Sequence, residues 1–264
     1  MKNTHTLEFE KFKPQLKSFI LRMTASVEDT EDLLQDTFIK VSENLDTFQN
    51  KSSFRTWVFA IASNLAKNSL RSKMRWTDNV TDLAKAATLE SPHIMQGFIQ
   101  VHQVSPHGAF EIREHIGFCF TCIGKTLPIE QQIALLLKEV YEFKVAEIAE
   151  ILEETEGVVK HLLFNGRQKM IAVFDKRCSL INKKGICHQC SELNGIFNPK
   201  HETQKELMKI DMVNEAVMKS KEELFDMRTR LIKAIDPFNS PGCDLQLFHL
   251  RHARNTIEKA QENQ

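Results

Sequence analysis

Turn-forming and strand-forming residues are scarce in this chain, with nine Gly and seven Pro among 264 residues. Runs of β-branched residues are rare as well, which argues against a β-rich fold. No apolar run approaches the ~20 residues that a bilayer span needs. No secretory leader is expected, because Lys2, His5, Glu8, Glu10 and Lys11 interrupt the N-terminus. These two absences predict a cytoplasmic protein with no membrane partner. Phosphate loops, nucleophile elbows and carboxylate pairs at metal spacing are missing too, so catalysis is not expected. Net charge is also absent, since 35 Lys and Arg balance 35 Asp and Glu. A free-standing nucleic-acid binder usually carries a basic domain. Any argument from charge must therefore come from its local distribution.

What the chain does contain is Leu, Ile, Phe and Ala recurring among Glu and Lys, with 42% hydrophobic residues. That pattern predicts an all-α protein. Helices are predicted at about 7–24, 28–47, 52–74, 108–122, 128–141, 145–152, 156–177, 201–235 and 244–261. In the first, Leu16, Phe19, Ile20 and Met23 share a face. The second buries Leu34, Phe38, Val41 and Leu45 and leaves Asp32, Gln35, Asp36 and Lys40 outside. The third buries Phe54, Val58, Ile61 and Leu65, with Phe59, Ser63, Lys67 and Arg71 on the other side. Ser52 or Ser53 is its cap. Residues 77–107 lack strong periodicity and contain Ser91–Pro92 and Ser105–Pro106, which reads as a linker. The expected layout is 1–76, a linker at 77–107, a second domain at 108–178 and an extension at 179–264.

Charge is sharply segregated near the start. From Glu28 to Asp46 there are seven acids against Lys40 alone. From Lys51 to Arg75 the charged residues are Lys51, Arg55, Lys67, Arg71, Lys73 and Arg75, with no acid among them. An acidic helix suits a basic or polar protein surface, and a basic one suits a phosphate backbone. Trp57 and Phe59 lie among the cations, and aromatic faces stack on unpaired bases. Further on, Val145–Leu152 followed by Thr155–Lys160 reads as helix, short turn, helix. Thr155 is the cap of the second helix and Ala149 permits close approach. Val159, Leu163 and Met170 face inward, and Lys160, His161, Arg167, Gln168 and Lys169 remain outside, able to meet DNA.

The run DTEDLLQDTF, then SSFRTW, then IASNLAKNSLR resembles region 2 of the extracytoplasmic-function (ECF) sigma factors of bacterial RNA polymerase. Leu127–Met170 resembles their region 4, and the two matches follow the family's order. The resemblance implies a region 2 bundle and a region 4 helix-turn-helix, joined by a linker and followed here by a helical C-terminal extension. It implies that Arg55, Trp57, Phe59, Asn64, Lys67 and Arg71 engage and melt the −10 element. It implies that Asp32, Gln35 and Asp36 dock on core RNA polymerase. Lys160, His161, Arg167, Gln168 and Lys169 would read the −35 element of promoter DNA. Leu162, Phe164, Asn165 and Gly166 fill places where family members usually carry basic residues, which implies weak −35 contact. Short members end near Arg177. Those with extensions use them for control in place of a separate anti-sigma protein, so the extension is expected to pack on Leu162 and Phe164 and gate DNA access. A polymerase-independent helix-turn-helix regulator is the rival reading.

The six cysteines include two CxxC pairs, Cys119/Cys122 and Cys187/Cys190. Four thiolates at tetrahedral corners suit one structural zinc, and each CxxC supplies two. Inert buried thiols and a redox or zinc-sensing dithiol stay open beside it. Cys178 and Cys243 are expected to be plain core residues.

Overall fold

The computed structural model describes residues 2–49, 51–105, 109–178, 215 and 218–262, with the side chains of 2–4, 109–112 and 261–262 excepted. Helices and turns account for its regular structure, and the described residues contain no strand. None of their helices is long and apolar enough to cross a membrane.

The chain divides into two compact units, and each is discontinuous in sequence. One takes residues up to Arg75 together with Leu127–Gln168. The other takes Trp76–Thr126 and the described residues from Lys169 onward. The contiguous blocks expected from the sequence therefore do not coincide with the packed bodies.

In the first unit, α1 (Lys2–Thr24), α2 (Val27–Asn44) and α3 (Phe54–Leu70) pack against one another in pairs. Ser26 and Ser53 start α2 and α3 by accepting hydrogen bonds from the backbone N–H groups of Asp29 and Thr56, each at 3.0 Å. Leu16, Phe19, Ile20 and Met23 of α1 are fully buried, as their spacing predicts. Helix α2 differs, because its core face is Leu33, Leu34, Thr37 and Val41 while Phe38 is half exposed. Thr37 can be buried because its hydroxyl donates to the Leu33 carbonyl at 2.6 Å.

The same unit continues with α7 (Ile129–Leu135), a π-turn at Leu136–Val140, α8 (Val145–Leu152) and α9 (Glu156–Arg177) as far as Gln168. Glu153 ends α8 in the left-handed region at φ 57°. Thr155 caps α9, its hydroxyl oxygen accepting from the Val158 N–H at 3.3 Å.

The second unit corrects the linker reading. Residues 77–107 hold α4 (Val80–Leu89) and α5 (Pro92–Val104). Ser91–Pro92 is a helix start rather than a break, since Ser91 caps α5 and Pro92 stands in its first turn, where a missing N–H costs nothing. The helical periodicity is short there, and Val80, Ala84 and Phe98 are nonetheless buried. Helix α6 (Ala109–Gly124), α10 (Lys221–Lys233) and α11 (Cys243–Glu262) complete this unit, with α11 packing on α4, α5 and α6, and α10 packing on α6. Residues 201–214 of the long helix predicted at 201–235 lie outside the described residues. The base of the 76–126 segment is pinched shut. The Trp76 N–H donates to the Lys125 carbonyl at 3.2 Å, and the Lys125 ammonium lies 5.2 Å from the Trp76 ring centroid.

Histidines concentrate around Phe98 and Phe118 in this unit. Burial lowers the His115 pKa to about 4, with His102 adding to the effect. Burial also lowers His249, helped by His102, His115 and His252. Burial lowers His252 too, although its hydrogen bond to the Ala84 carbonyl opposes the change. These bases are neutral when folded and take up protons when unfolded. Stability is therefore intact above the unfolded value of about 6.5 and falls as pH drops toward 4, by up to about 1.4 kcal/mol per pH unit per histidine. Urea unfolding between pH 7 and pH 4 should show that slope, and His115→Gln with His249→Gln should flatten it.

Candidate nucleic-acid interface

The outer face of α2 presents Asp32, Gln35 and Asp36 to solvent, as the sequence predicts. Beside it, α3 carries the cationic and aromatic residues in very different settings. Asn64 and Arg71 are exposed. Trp57 is half-buried, its ring 5.1 Å from Phe48 and 5.9 Å from Phe54. Lys67 pairs with Glu130 at 2.9 Å. Burial pushes the Glu130 carboxyl upward, but the Lys67 hydrogen bond, its own backbone N–H and the charges of Lys67 and Arg71 outweigh it, leaving the group below the usual carboxylate range.

Phe59 corrects the single-stripe reading of α3. The ring is fully buried. On one side it meets Phe12 and Phe19, with centroids at 6.3 and 5.5 Å, and on the other Tyr141 and Phe143, at 6.0 and 4.9 Å. Helix α3 is covered on two faces, by α1 and α2 and by α8 with the turn before it. A helix packed on both sides has no single apolar stripe for the sequence to display.

Arg55 is held in the same contact. Its guanidinium donates to Gln15 Oε1 at 3.0 Å and to the Tyr141 carbonyl at 2.9 Å, and lies 4.0 Å from the Phe143 centroid. Desolvation lowers its pKa, opposed by Glu147, Glu142 and Tyr141. Thr56 donates to Glu147 Oε1 at 3.4 Å. Sequence reasoning missed Glu130, Tyr141, Phe143 and Glu147 as partners of α3, and no local pattern signals a pairing so distant along the chain.

In the helix-turn-helix, Val159 and Met170 are fully buried, and Lys160, His161, Gln168 and Lys169 are exposed. Several of these side chains are already engaged. Lys160 lies 3.7 Å from Glu156, Arg167 pairs with Glu139 at 3.1 Å, and Lys169 donates to the Thr126 carbonyl at 3.0 Å. Phe164 is 63% exposed. The described helices of the extension, α10 and α11, pack on α6 and, for α11, also on α4 and α5.

Cys119 and Cys122 both lie on α6, with the Cys119 sulfur 3.5 Å from His115 Nε2. With Cys178 they line one small cavity, so Cys178 is more than an isolated core residue. Cys187 and Cys190 lie outside the described residues. Among the described ones, no group of three or more His, Cys, Asp or Glu side chains could hold a metal ion.

Among the described residues, an acidic helix lies beside one that carries cations and aromatic rings, with a helix-turn-helix later in the chain, in an all-helical fold. Residues 9–75 match the Sigma-70 region 2 family model, and residues 119–170 match Sigma-70, region 4. The chain is 30% identical over 159 residues to the ECF RNA polymerase sigma factor SigW of Bacillus subtilis, covering 60% of this chain and 82% of that protein. It is 30% identical over 149 residues to the ECF RNA polymerase sigma-E factor of Haemophilus influenzae, with 56% and 76% covered. To SigG of Mycobacterium tuberculosis it is 26% identical over 174 residues, or 62% of this chain, and it spans about half, 47%, of that relative's length. A solved sigma factor RpoE from Bartonella quintana, in complex with the anti-sigma factor NepR, aligns with 66% of this chain and 98% of its own at a TM-score of 0.46 and 19% identity. The chain belongs to the ECF RNA polymerase sigma factors.

The contact on α3 joins an apolar interlock to a half-exposed ion pair, and the two should differ in strength. Phe143→Ala should cost about 3–5 kcal/mol, whereas Glu130→Gln should cost less than about 1 kcal/mol. Urea midpoints of the two variants will rank them.

Proposed function

We propose that this chain directs the RNA polymerase core of a bacterium to a set of promoters and assists opening of the −10 element, acting in the cytoplasm and catalysing nothing itself. Family membership supports this reading. The observation that carries it is the exposed acidic face of α2 beside α3, inside the region 2 match. Asp32, Gln35 and Asp36 would meet the polymerase. Asn64, Trp57 and Arg71 would meet unpaired bases and phosphates, where each stacked base contributes about 1–3 kcal/mol.

Arg55, Phe59 and Lys67 belong to the same proposed surface but are held by Glu130, Tyr141 and Phe143. Strand capture through them requires this contact to part, and polymerase is the partner proposed to part it. In the −35 reader, Glu139 and Glu156 compete with DNA for Arg167 and Lys160, which fits weak groove contact.

Run-off transcription with core enzyme on genomic fragments tests the reading. Asn64→Ala with Arg71→Ala should lower initiation about tenfold or more while leaving the fold intact, the combined effect of two lost charge-assisted or base contacts. Failure of the wild-type chain to co-purify with core polymerase would favour the polymerase-independent regulator instead.

For the cysteines, the reading is one structural zinc completed by Cys187 and Cys190. The support is that Cys119 and Cys122 stand three residues apart on α6, which puts them on one face of the helix, and that the second CxxC repeats this spacing. Metal analysis of the purified full chain should find about one zinc per molecule, lost in Cys187→Ser with Cys190→Ser. A metal-free wild type with reversible thiol oxidation would assign a dithiol instead.

A further inference from the structure

We propose that the cavity bounded by α4, α5 and α11 in the second unit binds a small organic phosphate carrying a ring. This inference stands apart from the transcriptional reading, because it uses no residue of the helices proposed to touch DNA or polymerase.

The cavity is about 610 Å³, within the range of about 300–1,000 Å³ common for ligand sites. Helix α11 lines it with Phe248, Arg251, His252, Asn255, Thr256 and Lys259. These residues recur at helical spacing and form one stripe of the helix. Its neighbouring stripe, with Leu245, Leu250, Ala253 and Ile257, is the buried apolar face. Within the cavity stripe, Phe248 and His252 hold α11 against α5 and α4, through the Phe98 ring and through contacts at 2.8 Å to Thr88 Oγ1 and the Ala84 carbonyl, whereas Arg251, Asn255 and Lys259 are exposed.

The charge of the lining is one-sided. Arg251 and Lys259 contribute two permanent cations and His93 a third basic group, while no Asp or Glu lines the cavity. Arg251 makes no hydrogen bond or ion pair among the described residues. An anion suits this lining, and an arginine fork matches phosphate geometry. The amides of Gln96, Gln100 and Asn255 add neutral donors and acceptors.

Part of the lining is apolar, supplied by Ile94, Ala87 and the Phe248 ring. The ring stands edge-on to Phe98 with centroids 4.8 Å apart, which fixes its orientation. It also lies directly on the backbone of α5, because a Cβ at Gly97 would come within 2.9 Å of Phe248 Cζ. Glycine at 97 keeps that ring down and the space above it open. Phe248 shares its stripe of α11 with the cations, so the lining offers an aromatic ring as well as positive charge, which favours a ring-bearing phosphate over a bare inorganic ion.

Calorimetric titration of the full-length chain tests this with phenyl phosphate and AMP as ring-bearing probes, and with phenol, adenosine and inorganic phosphate as their separated halves. At least one ring-bearing phosphate should bind, about tenfold or more tighter than either of its halves. Arg251→Glu with Lys259→Glu, both at exposed positions, should lower that affinity about tenfold or more with an unchanged helical circular dichroism spectrum. Gly97→Ala should weaken it independently by lifting Phe248 into the cavity. The proposal is overturned if neither ring-bearing phosphate binds at millimolar concentration. It is equally overturned if the separated halves bind as well, or if the charge reversal leaves binding unchanged.

Discussion

The burial of α3 on two faces is the constraint on which the rest of the first unit depends. Phe59 fills the space between the rings of α1 and those of the turn before α8, and a fully buried aromatic contributes several kcal/mol through area and contact. Around it, Arg55 spends its donors on Gln15 and the Tyr141 carbonyl, and Lys67 meets Glu130. The apolar interlock supplies the strength, since exposed and half-exposed ion pairs are worth little in water. The polar pairs supply register, because each needs its partner at one position along the helix.

This arrangement explains how a chain of zero net charge can carry a nucleic-acid surface. Its cations are gathered on one helix and its acids on the next, so their sum says nothing of the local field. The structure adds a second layer to that economy. Glu130, Glu139 and Glu156 each lie against a cation that the sequence assigns to DNA. Those carboxylates lower the cost of crowding positive charge when no nucleic acid is present.

Much of the fold was legible from periodicity and caps. The α1 stripe, the capping roles of Ser53 and Thr155, and the spans of α8 and α9 follow from local rules that act within a few residues. The exposed faces of α2 and of α9 were legible for the same reason. What stayed hidden was non-local. Phe59 looked solvent-facing because its second set of neighbours comes from Tyr141 and Phe143, far along the chain. Helices α4 and α5 looked like linker because their apolar faces are short and are completed by α11. Ser91–Pro92 is ambiguous in itself, serving equally as a turn or as the first step of a helix. The three thiols lining one cavity were hidden likewise, since Cys178 comes from the far end of α9.

The discontinuity of the first unit has a consequence for biogenesis. Helices α1 to α3 leave the ribosome before residues 76–126, and Tyr141 and Phe143 come later still. At about 5–20 residues per second, the nascent chain spends several seconds with Arg55 and Phe59 half-clothed, in a cell crowded with polyanions. The pinch between Trp76 and Lys125 shortens the loop that must then close. Each newly made copy therefore passes once through a bare-faced form before its own later segment arrives to cover it.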